Sequence, residues 1–594
     1  MSLEQYIENF GQAYADSLIT LGQSMVDTLQ HAGVNRVYGV GGDFAANIIS
    51  AFEGSLGLSP CANEQHAAYT ACGLAELNGV GVYLTTYTVG SLPCASALAL
   101  AKAERLPVIA ISGAPGESEI QGAALHHSVV SSSAWQKNFD LALDAFRAMG
   151  IRAERLQGER DPRQPHVAGS QFFQLVQYAL KKKEPVFIEV PRDLVSSLTQ
   201  PMNLPESKVS KLILEGADLI VQQIQQKLSQ AKQPMIYLGE NAKINPRLLQ
   251  LVEKFAEQNQ IPYATNWFAK GTLNELSPLS LGTYNGAFSS PQTRHFVEQS
   301  VDYILEVATS IHPQDTSIAF ETGTHKILSF ENKTVLKGTE SGEVDLLSVF
   351  EQLVSKPVKS FSAPEFAETD NPLNLDATLG FHNVAQTLNL AQQQTNRTFV
   401  YLPEVGNSFF ASFDLVTGPA QIGRSWITNP WYAAMGTSLC YAKATCHQVK
   451  DQQSSDLPIV LTGDGGFHFQ SSELIHFLRE QLSVVILYMR NDIFHLGKSS
   501  DAEIYQCSTK DFDVIKLVEG YGGQGRRCTT PEQLLAGLKE VAGLANPGLH
   551  LFEIPASTDL QQQPETIRLL NTYIKAKNGH PEAQAEWEKI EHLD

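Results

Sequence analysis

Cysteine is scarce: seven in 594 residues, an odd number with no CxxC pair. That argues against both a disulfide framework and a zinc site, and leaves reduced thiols in a cytoplasmic protein as the simpler expectation. Basic charge is short as well: 43 Lys and Arg against 63 Asp and Glu give a net charge of −20. Proteins that bind nucleic acid carry basic patches that neutralise phosphate. Here the basic runs are short, such as Lys181-Lys182-Lys183, and read as solvated helix ends. Nucleic acid is therefore not an expected partner, and the acidity serves solubility. No apolar stretch approaches about 18 residues, so no membrane-spanning helix is expected. The first residues (MSLEQYIENF) are acidic and amphipathic and lack the basic and apolar regions of a signal peptide. Tandem repeats and low-complexity segments are missing too.

What is present is ordinary globular composition, 43% hydrophobic and 18% charged. The length suggests about three or four domains at roughly 100–200 residues each, with no need of a covalent or metal staple. Short apolar runs alternate with longer amphipathic stretches. Buried strands are expected at 37–40 (VYGV), 81–86 (GVYLTT), 107–111 (PVIAI), 185–190 (PVFIEV) and 234–238 (PMIYL). Four more are expected at 399–402 (FVYL), 458–462 (PIVLT), 483–489 (SVVILYM) and 549–554 (LHLFEI). Strands alternating with helices predict an α/β fold with parallel sheets. Composition shifts at 200–210 (QPMNLPESKVS) and 360–374 (SFSAPEFAETDNPLN) read as linkers between three α/β units. The stretch 154–167 (ERLQGERDPRQPHV) reads as an exposed loop within the first unit.

The strongest local signal is Gly463-Asp464-Gly465-Gly466, directly after the expected strand 458–462. A helix at 471–481, a second strand at 483–489 and then Asn491 follow. Asp464 and Asn491, 27 positions apart, thus stand at the carboxyl ends of parallel strands, the edge where open α/β sheets bind ligands. Glycines let backbone approach a phosphate, and a carboxylate with an amide oxygen are hard ligands suited to Mg²⁺. Alone, Gly-Asp-Gly is equally a tight turn after a core strand; the strand–helix–strand–Asn context favours a site.

This arrangement resembles the thiamine diphosphate signature, and the chain resembles the pyruvate decarboxylase and indolepyruvate decarboxylase family nearly end to end. Segment 38–44 (YGVGGDF) is similar to that family's turn with a catalytic aspartate, and 63–69 (NEQHAAY) to its glutamate-bearing helix start. Residues 86–92 (TYTVGSL) resemble its glycine loop, 125–128 (LHHS) its twin-histidine motif, and 404–409 (EVGNSF) and 426–436 its cofactor-binding segments. The resemblance implies three domains: 1–203 binding the pyrimidine, 204–370 a Rossmann-like middle domain, and 371–594 binding diphosphate and Mg²⁺. The middle domain has no GxGxxG, so no bound dinucleotide is expected.

By the same resemblance, Glu64 bonds the aminopyrimidine and activates the cofactor. Asp43, His126 and His127 are the acid–base group, histidine titrating near neutral pH. Glu404, Val405, Asn407, Ile427, Asn429, Gly463, Asp464, Gly465, Gly466 and Asn491 are the expected cofactor-binding residues. Asp464, Asn491 and the backbone carbonyl of Ile493 are the expected Mg²⁺ ligands. A homodimer or homotetramer with active sites at subunit interfaces is implied, because Glu64 serves a cofactor held by the 463–491 segment of a second copy. The bland alternatives are a solvated Glu64 at a helix start and a buried loop pair at His126-His127. His66 and His468 read as neighbours of the cofactor, with weaker cases for His31, His476 and His495. Phe467, Phe469 and Phe477 read as core.

The pattern breaks after the metal-binding asparagine, where the family's Asn-Asn-x-Gly-Tyr-Thr-Ile-Glu becomes Arg490-Asn491-Asp492-Ile493-Phe494-His495-Leu496-Gly497. Arg490 leaves Asn491 intact, and Ile493 can still offer a carbonyl. Gly497, however, replaces a catalytic glutamate. Ser500 stands where an apolar pocket residue is usual and Phe409 where Trp is usual. The bulky aliphatic under the cofactor aligns with Asn429 or with Trp431, neither of them the usual residue. These changes favour a 2-oxo acid larger than pyruvate, such as an arylpyruvate, although one pocket change is worth only about 1–3 kcal/mol. Non-oxidative decarboxylation to an aldehyde is the expected reaction. Carboligation to a 2-hydroxyketone is the alternative, and a catalytically impaired regulatory subunit is the rival from another class.

Overall fold

A computed structural model describes residues 18–123, 126–130, 137–158, 167–199, 211–243, 245–309, 333–336, 345–362, 373–493, 509–557 and 559–592. The linker at 200–210 and most of the one at 360–374 lie outside the described residues, as do Leu125, His495, Gly497 and Ser500. The chain forms two compact units. The first comprises 1–206, 431–447 and 470–482; the second comprises 207–430, 448–469 and 483–594.

The first unit is built on a six-stranded parallel sheet. Its spatial order is Gly57–Pro60, Arg36–Gly39, Gly81–Thr85, Val108–Ala114, Val186–Pro191, Arg152–Arg155. The central strands are buried along their whole length. Burial on both faces is why they read as continuous apolar runs rather than alternating ones. From Arg36–Gly39 the chain first moves to one side, to Gly57–Pro60, and then crosses to Gly81–Thr85 on the other. That reversal opens a crevice at the carboxyl edge. The helix Glu64–Asn78 starts beyond this edge, with Asn63 as its cap accepting from the His66 N–H at 2.8 Å. Lys181 and Lys182 close the helix Ala168–Lys182, a stabilising place for cations.

The second unit holds two parallel five-stranded sheets. One runs in the order Ser280–Thr283, Tyr263–Thr265, Pro234–Leu238, Tyr303–Val307, Lys333–Leu336. The other runs Phe399–Pro403, Leu457–Gly463, Val484–Arg490, Leu549–Pro555, Gln524–Arg527. All nine expected strands are present, and the fold is α/β with parallel sheets, as read from the sequence.

Three expectations are corrected. The 154–167 stretch does not begin as a loop, because Arg152–Arg155 (RAER) is the sixth strand of the first sheet. It is an edge strand, as is Gln524–Arg527 (QGRR), and exposed charged edges carry no apolar signal. The expected helix at 471–481 begins earlier: a helical turn Asp464–Gln470 follows the strand directly, then a 3₁₀ turn Ser471–Glu473 and a helix Leu474–Arg479. Phe467 and Phe477 are core, but Phe469 is 56% exposed, because helical geometry turns it away from Phe467.

Candidate active site

Asp43, Glu64, His126 and His127 belong to the first unit, and the other sequence-predicted site residues to the second, where Asp464 and Asn491 directly follow strand ends. In the first unit, Asp43 opens a 3₁₀ turn just after Arg36–Gly39, and Glu64 is the first residue of the helix after Gly57–Pro60. His126 and His127 lie beyond Val108–Ala114. His126 Nε2 approaches Asp43 Oδ2 at 3.5 Å, and the two imidazoles stack with ring centroids 3.8 Å apart. Phe44 lies buried beneath the pair, with ring centroids 5.9 Å from His126 and 5.8 Å from His127. The Arg192 guanidinium covers Phe44 at 4.8 Å and is ion-paired to Glu119. Three groups able to donate and accept protons thus converge on an apolar floor, with Asp43 and His126 exposed at the mouth.

The Glu64 side chain is partly exposed, and its backbone carbonyl accepts from the Cys94 thiol at 3.3 Å. Six cysteines are free and buried among the described residues, and Cys94 is one of them. Burial pushes its thiol well above the ordinary range, which makes it an inert packing group.

In the second unit, strands Leu457–Gly463 and Val484–Arg490 pair in a register that sets Gly463 opposite Met489. Asp464 and Asn491 therefore emerge side by side. Asp464 is buried, and its carboxylate accepts from the Asn491 N–H at 2.9 Å, the Tyr488 hydroxyl at 2.8 Å and the Thr509 hydroxyl at 2.6 Å. Burial, and then the Asp464 charge, push the Tyr488 hydroxyl far upward, so it remains a donor. Asn491 Oδ1 in turn accepts from the Ile493 N–H at 3.2 Å. The three expected metal ligands are thus neighbours. Tyr488 and Thr509 were not singled out from the sequence: one reads as an ordinary strand residue, and the other is 45 positions from Asp464.

The donor set fits a hard divalent cation. Among the described residues no ion pair reaches Asp464, so a buried carboxylate faces only neutral donors, a costly arrangement unless a cation joins it. Among the described residues, three hydrogen bonds take three of its roughly four acceptor sites, and Mg²⁺ is usually held by few protein oxygens together with phosphate. Space is left at Gly463 as well: among the described residues a Cβ there would meet only the Met489 carbonyl, at 3.8 Å. Glu404 lies buried alongside, and the Val405 N–H donates to its Oε1 at 3.1 Å. Gly406 at φ +123° turns the chain into Asn407, whose Nδ2 donates to Gln563 at 2.6 Å. Ile427 donates its N–H to Tyr401 at 3.0 Å, and Asn429 is fully buried.

Other residues singled out in the sequence have these surroundings. Phe409 is buried among Trp267, Phe410, Phe413 and Trp426, so its aromatic character serves the core of the second unit. His66 Nδ1 is hydrogen-bonded to buried Glu473 at 3.0 Å. His468 packs edge-on to Phe512, with ring centroids 4.5 Å apart. His31 ends the helix Leu21–His31 on the surface, and His476 is buried.

Comparison with known proteins gives the family. The family described as thiamine pyrophosphate enzyme, N-terminal TPP binding domain, matches residues 19–137. The central domain of the same enzymes matches 221–335, and their C-terminal TPP binding domain matches 405–554. The chain is 25% identical to pyruvate decarboxylase 4 of Arabidopsis thaliana over 595 residues, covering 95% of this chain and 92% of that one. It is 26% identical to pyruvate decarboxylase 1 of the same plant over 538 residues, covering 86% and 83%. With pyruvate decarboxylase of Hanseniaspora uvarum it shares 24% over 503 residues, covering 81% and 85%.

Proposed function

Because the chain belongs to the thiamine diphosphate-dependent 2-oxo acid decarboxylases, we propose that it converts a 2-oxo acid larger than pyruvate into an aldehyde and CO₂, with Mg²⁺ as the second cofactor. Thiamine diphosphate, when bound, supplies the carbon nucleophile and the electron sink. The supporting observation is the pairing of Asp464 with Asn491 at adjoining strand ends, beside the open space at Gly463. In this reading Asp464, Asn491 and the Ile493 carbonyl hold the metal. Glu404, Val405, Asn407, Ile427, Asn429, Gly463, Gly465 and Gly466 line the cofactor cradle. Glu64 exchanges a proton with the aminopyrimidine, and Asp43, His126 and His127 move protons on the substrate side.

We assign the domain limits 1–203, 204–370 and 371–594. The protein works as a homodimer or homotetramer in the cytoplasm, with each cofactor completed by Glu64 of a second copy. No helix among the described residues is long and apolar enough to cross a membrane. At about a quarter identity, the relatives' substrate does not carry over. Gly497, in place of the family's glutamate, supports a bulkier substrate and keeps carboligation open as a second activity. Product analysis after feeding pyruvate or an arylpyruvate, with and without an aldehyde acceptor, tests this. Aldehyde release supports decarboxylation; 2-hydroxyketone alone reassigns the enzyme as a carboligase; no turnover with either acid overturns the proposal.

A further inference from the structure

A network of buried charges in the first unit grips the turn that carries Glu64. Glu473 and Lys443 have fully buried side chains and are joined at 2.8 Å. Glu473 Oε2 accepts from the Ala62 N–H at 3.0 Å and faces His66 Nδ1 at 3.0 Å. Lys443 Nζ donates to the Pro60 carbonyl and lies 3.3 Å from Cys61 Sγ. Bonds therefore reach the chain at positions 60, 62 and 66, on both sides of Glu64. Behind them, Glu480 takes hydrogen bonds from Ser59 at 3.0 Å and from His447 at 2.7 Å, and lies 3.5 Å from Lys443. His447 continues to the Tyr38 hydroxyl at 3.1 Å.

A buried ion pair is a poor device for stability alone, since apolar groups of the same volume often do as well or better. Its particular contribution is direction. Here a carboxylate receives one specified backbone N–H, and an ammonium points at one specified carbonyl. Burial alone would raise the Glu473 carboxyl, but His66, Lys443 and the Ala62 N–H outweigh it and bring it down to about 2. Against burial, Lys443 is in turn held upward by the carboxylates around it, so the Glu473–Lys443 pair is charged at neutral pH.

We propose that Glu473 and Lys443 are positioning residues for Glu64: they fix the 60–66 turn, and with it the carboxylate that activates the cofactor. This rests on the assignment of Glu64 made above. A group displaced by about 1 Å from its working position loses on the order of 10²-fold in rate. Neither residue touches the cofactor in this proposal; both act through Glu64.

The test is the rate at which the C2 proton of bound thiamine diphosphate exchanges with solvent deuterium, measured by quenched-flow NMR. It uses full-length enzyme saturated with thiamine diphosphate and Mg²⁺. Glu473→Gln leaves the buried ammonium of Lys443 with only the more distant Glu480 carboxylate, at 3.5 Å, so the neutral pair Glu473→Gln with Lys443→Met carries the same measurement if the single variant does not fold. Melting temperature and calorimetric cofactor affinity serve as controls. The expected result is exchange slowed about 10–100-fold at near-parental affinity, with no further slowing when the same changes are made in Glu64→Gln. Parental exchange in a folded variant, or slowing that adds fully to that of Glu64→Gln, overturns the positioning role and leaves Glu64 standing. Parental exchange in Glu64→Gln itself overturns the assignment of Glu64, and the positioning role falls with it.

Discussion

Gly466 lies so close to Glu404 that a Cβ on the glycine would fall 2.3 Å from Glu404 Cγ and 2.7 Å from its Cδ. Glu404 is 1% exposed and has nowhere to retreat. The missing side chain at Gly466 is therefore a packing requirement at the wall of the cradle. Gly466→Ala should push Glu404 and the 404–407 turn outward. We expect a stability loss of about 1–3 kcal/mol, as for other overpacked sites, and a large fall in thiamine diphosphate affinity. Denaturant titration and calorimetry measure the two. An unchanged affinity would show that the cradle does not depend on this contact.

Asp464 makes three hydrogen bonds to neutral donors. Asp464→Asn keeps the volume but removes the charge, and one of its amide hydrogens must face a donor. Thiamine diphosphate binding should fall at least 100-fold, and the remaining binding should become insensitive to Mg²⁺. Chelation of the parental enzyme should release the cofactor, and Mg²⁺ should restore it. Retention of cofactor after exhaustive chelation would remove the metal from the proposal.

Acid stability follows from the buried network. His447 and His476 are held below their ordinary value near 6.5, in both cases chiefly by burial. Their folded forms bind fewer protons than the unfolded chain, so stability begins to fall as pH drops below about 6.5. Glu473 and Glu480 are brought from near 4.5 to about 2 by their partners, against burial. Their contribution is full above about 4.5 and is lost as pH falls towards 2. Melting temperature should therefore decline in two stages. The neutral pair Glu473→Gln with Lys443→Met should flatten the stage below about 4.5 more than the one above it, because burial, the main cause of the histidine shifts, is unchanged. Identical acid limbs for parent and variant would contradict this.

Gly497 carries the substrate proposal. Restoring a carboxylate with Gly497→Glu should raise activity on pyruvate and lower it on an arylpyruvate. General acid catalysis by one group is typically worth about 10²–10⁴-fold, so the change on pyruvate should be easily measured as kcat/KM. Equal responses to both acids would detach Gly497 from specificity.

Much of this was open to a sequence reader for simple reasons. Strands such as Val108–Ala114 and Val484–Arg490 are buried on both faces, so their apolar runs are unbroken. Asp464 and Asn491 could be paired because consecutive parallel strands end at the same edge, and 27 residues suffice for the crossover between them. Asp43, Glu64, His126 and His127 were legible as motifs, but the convergence of Asp43, His126 and His127 on Phe44 was not.

What tertiary structure alone decided is which distant residues share a buried volume. Lys443 sits in the first part of the helix Ser438–Asp451, where the segment SLCYAKATC holds no other charged residue. Such a lysine calls for a partner without naming one; its partners are Glu473, 30 positions on, and Cys61, 382 positions back. Phe409 and Phe469 look alike in sequence, yet one is core and the other exposed, because facing depends on helix phase and on what packs opposite. Local propensity and periodicity act within a few residues and can be read from the chain. Ion pairing and burial depend on contacts made only after the chain has folded back on itself.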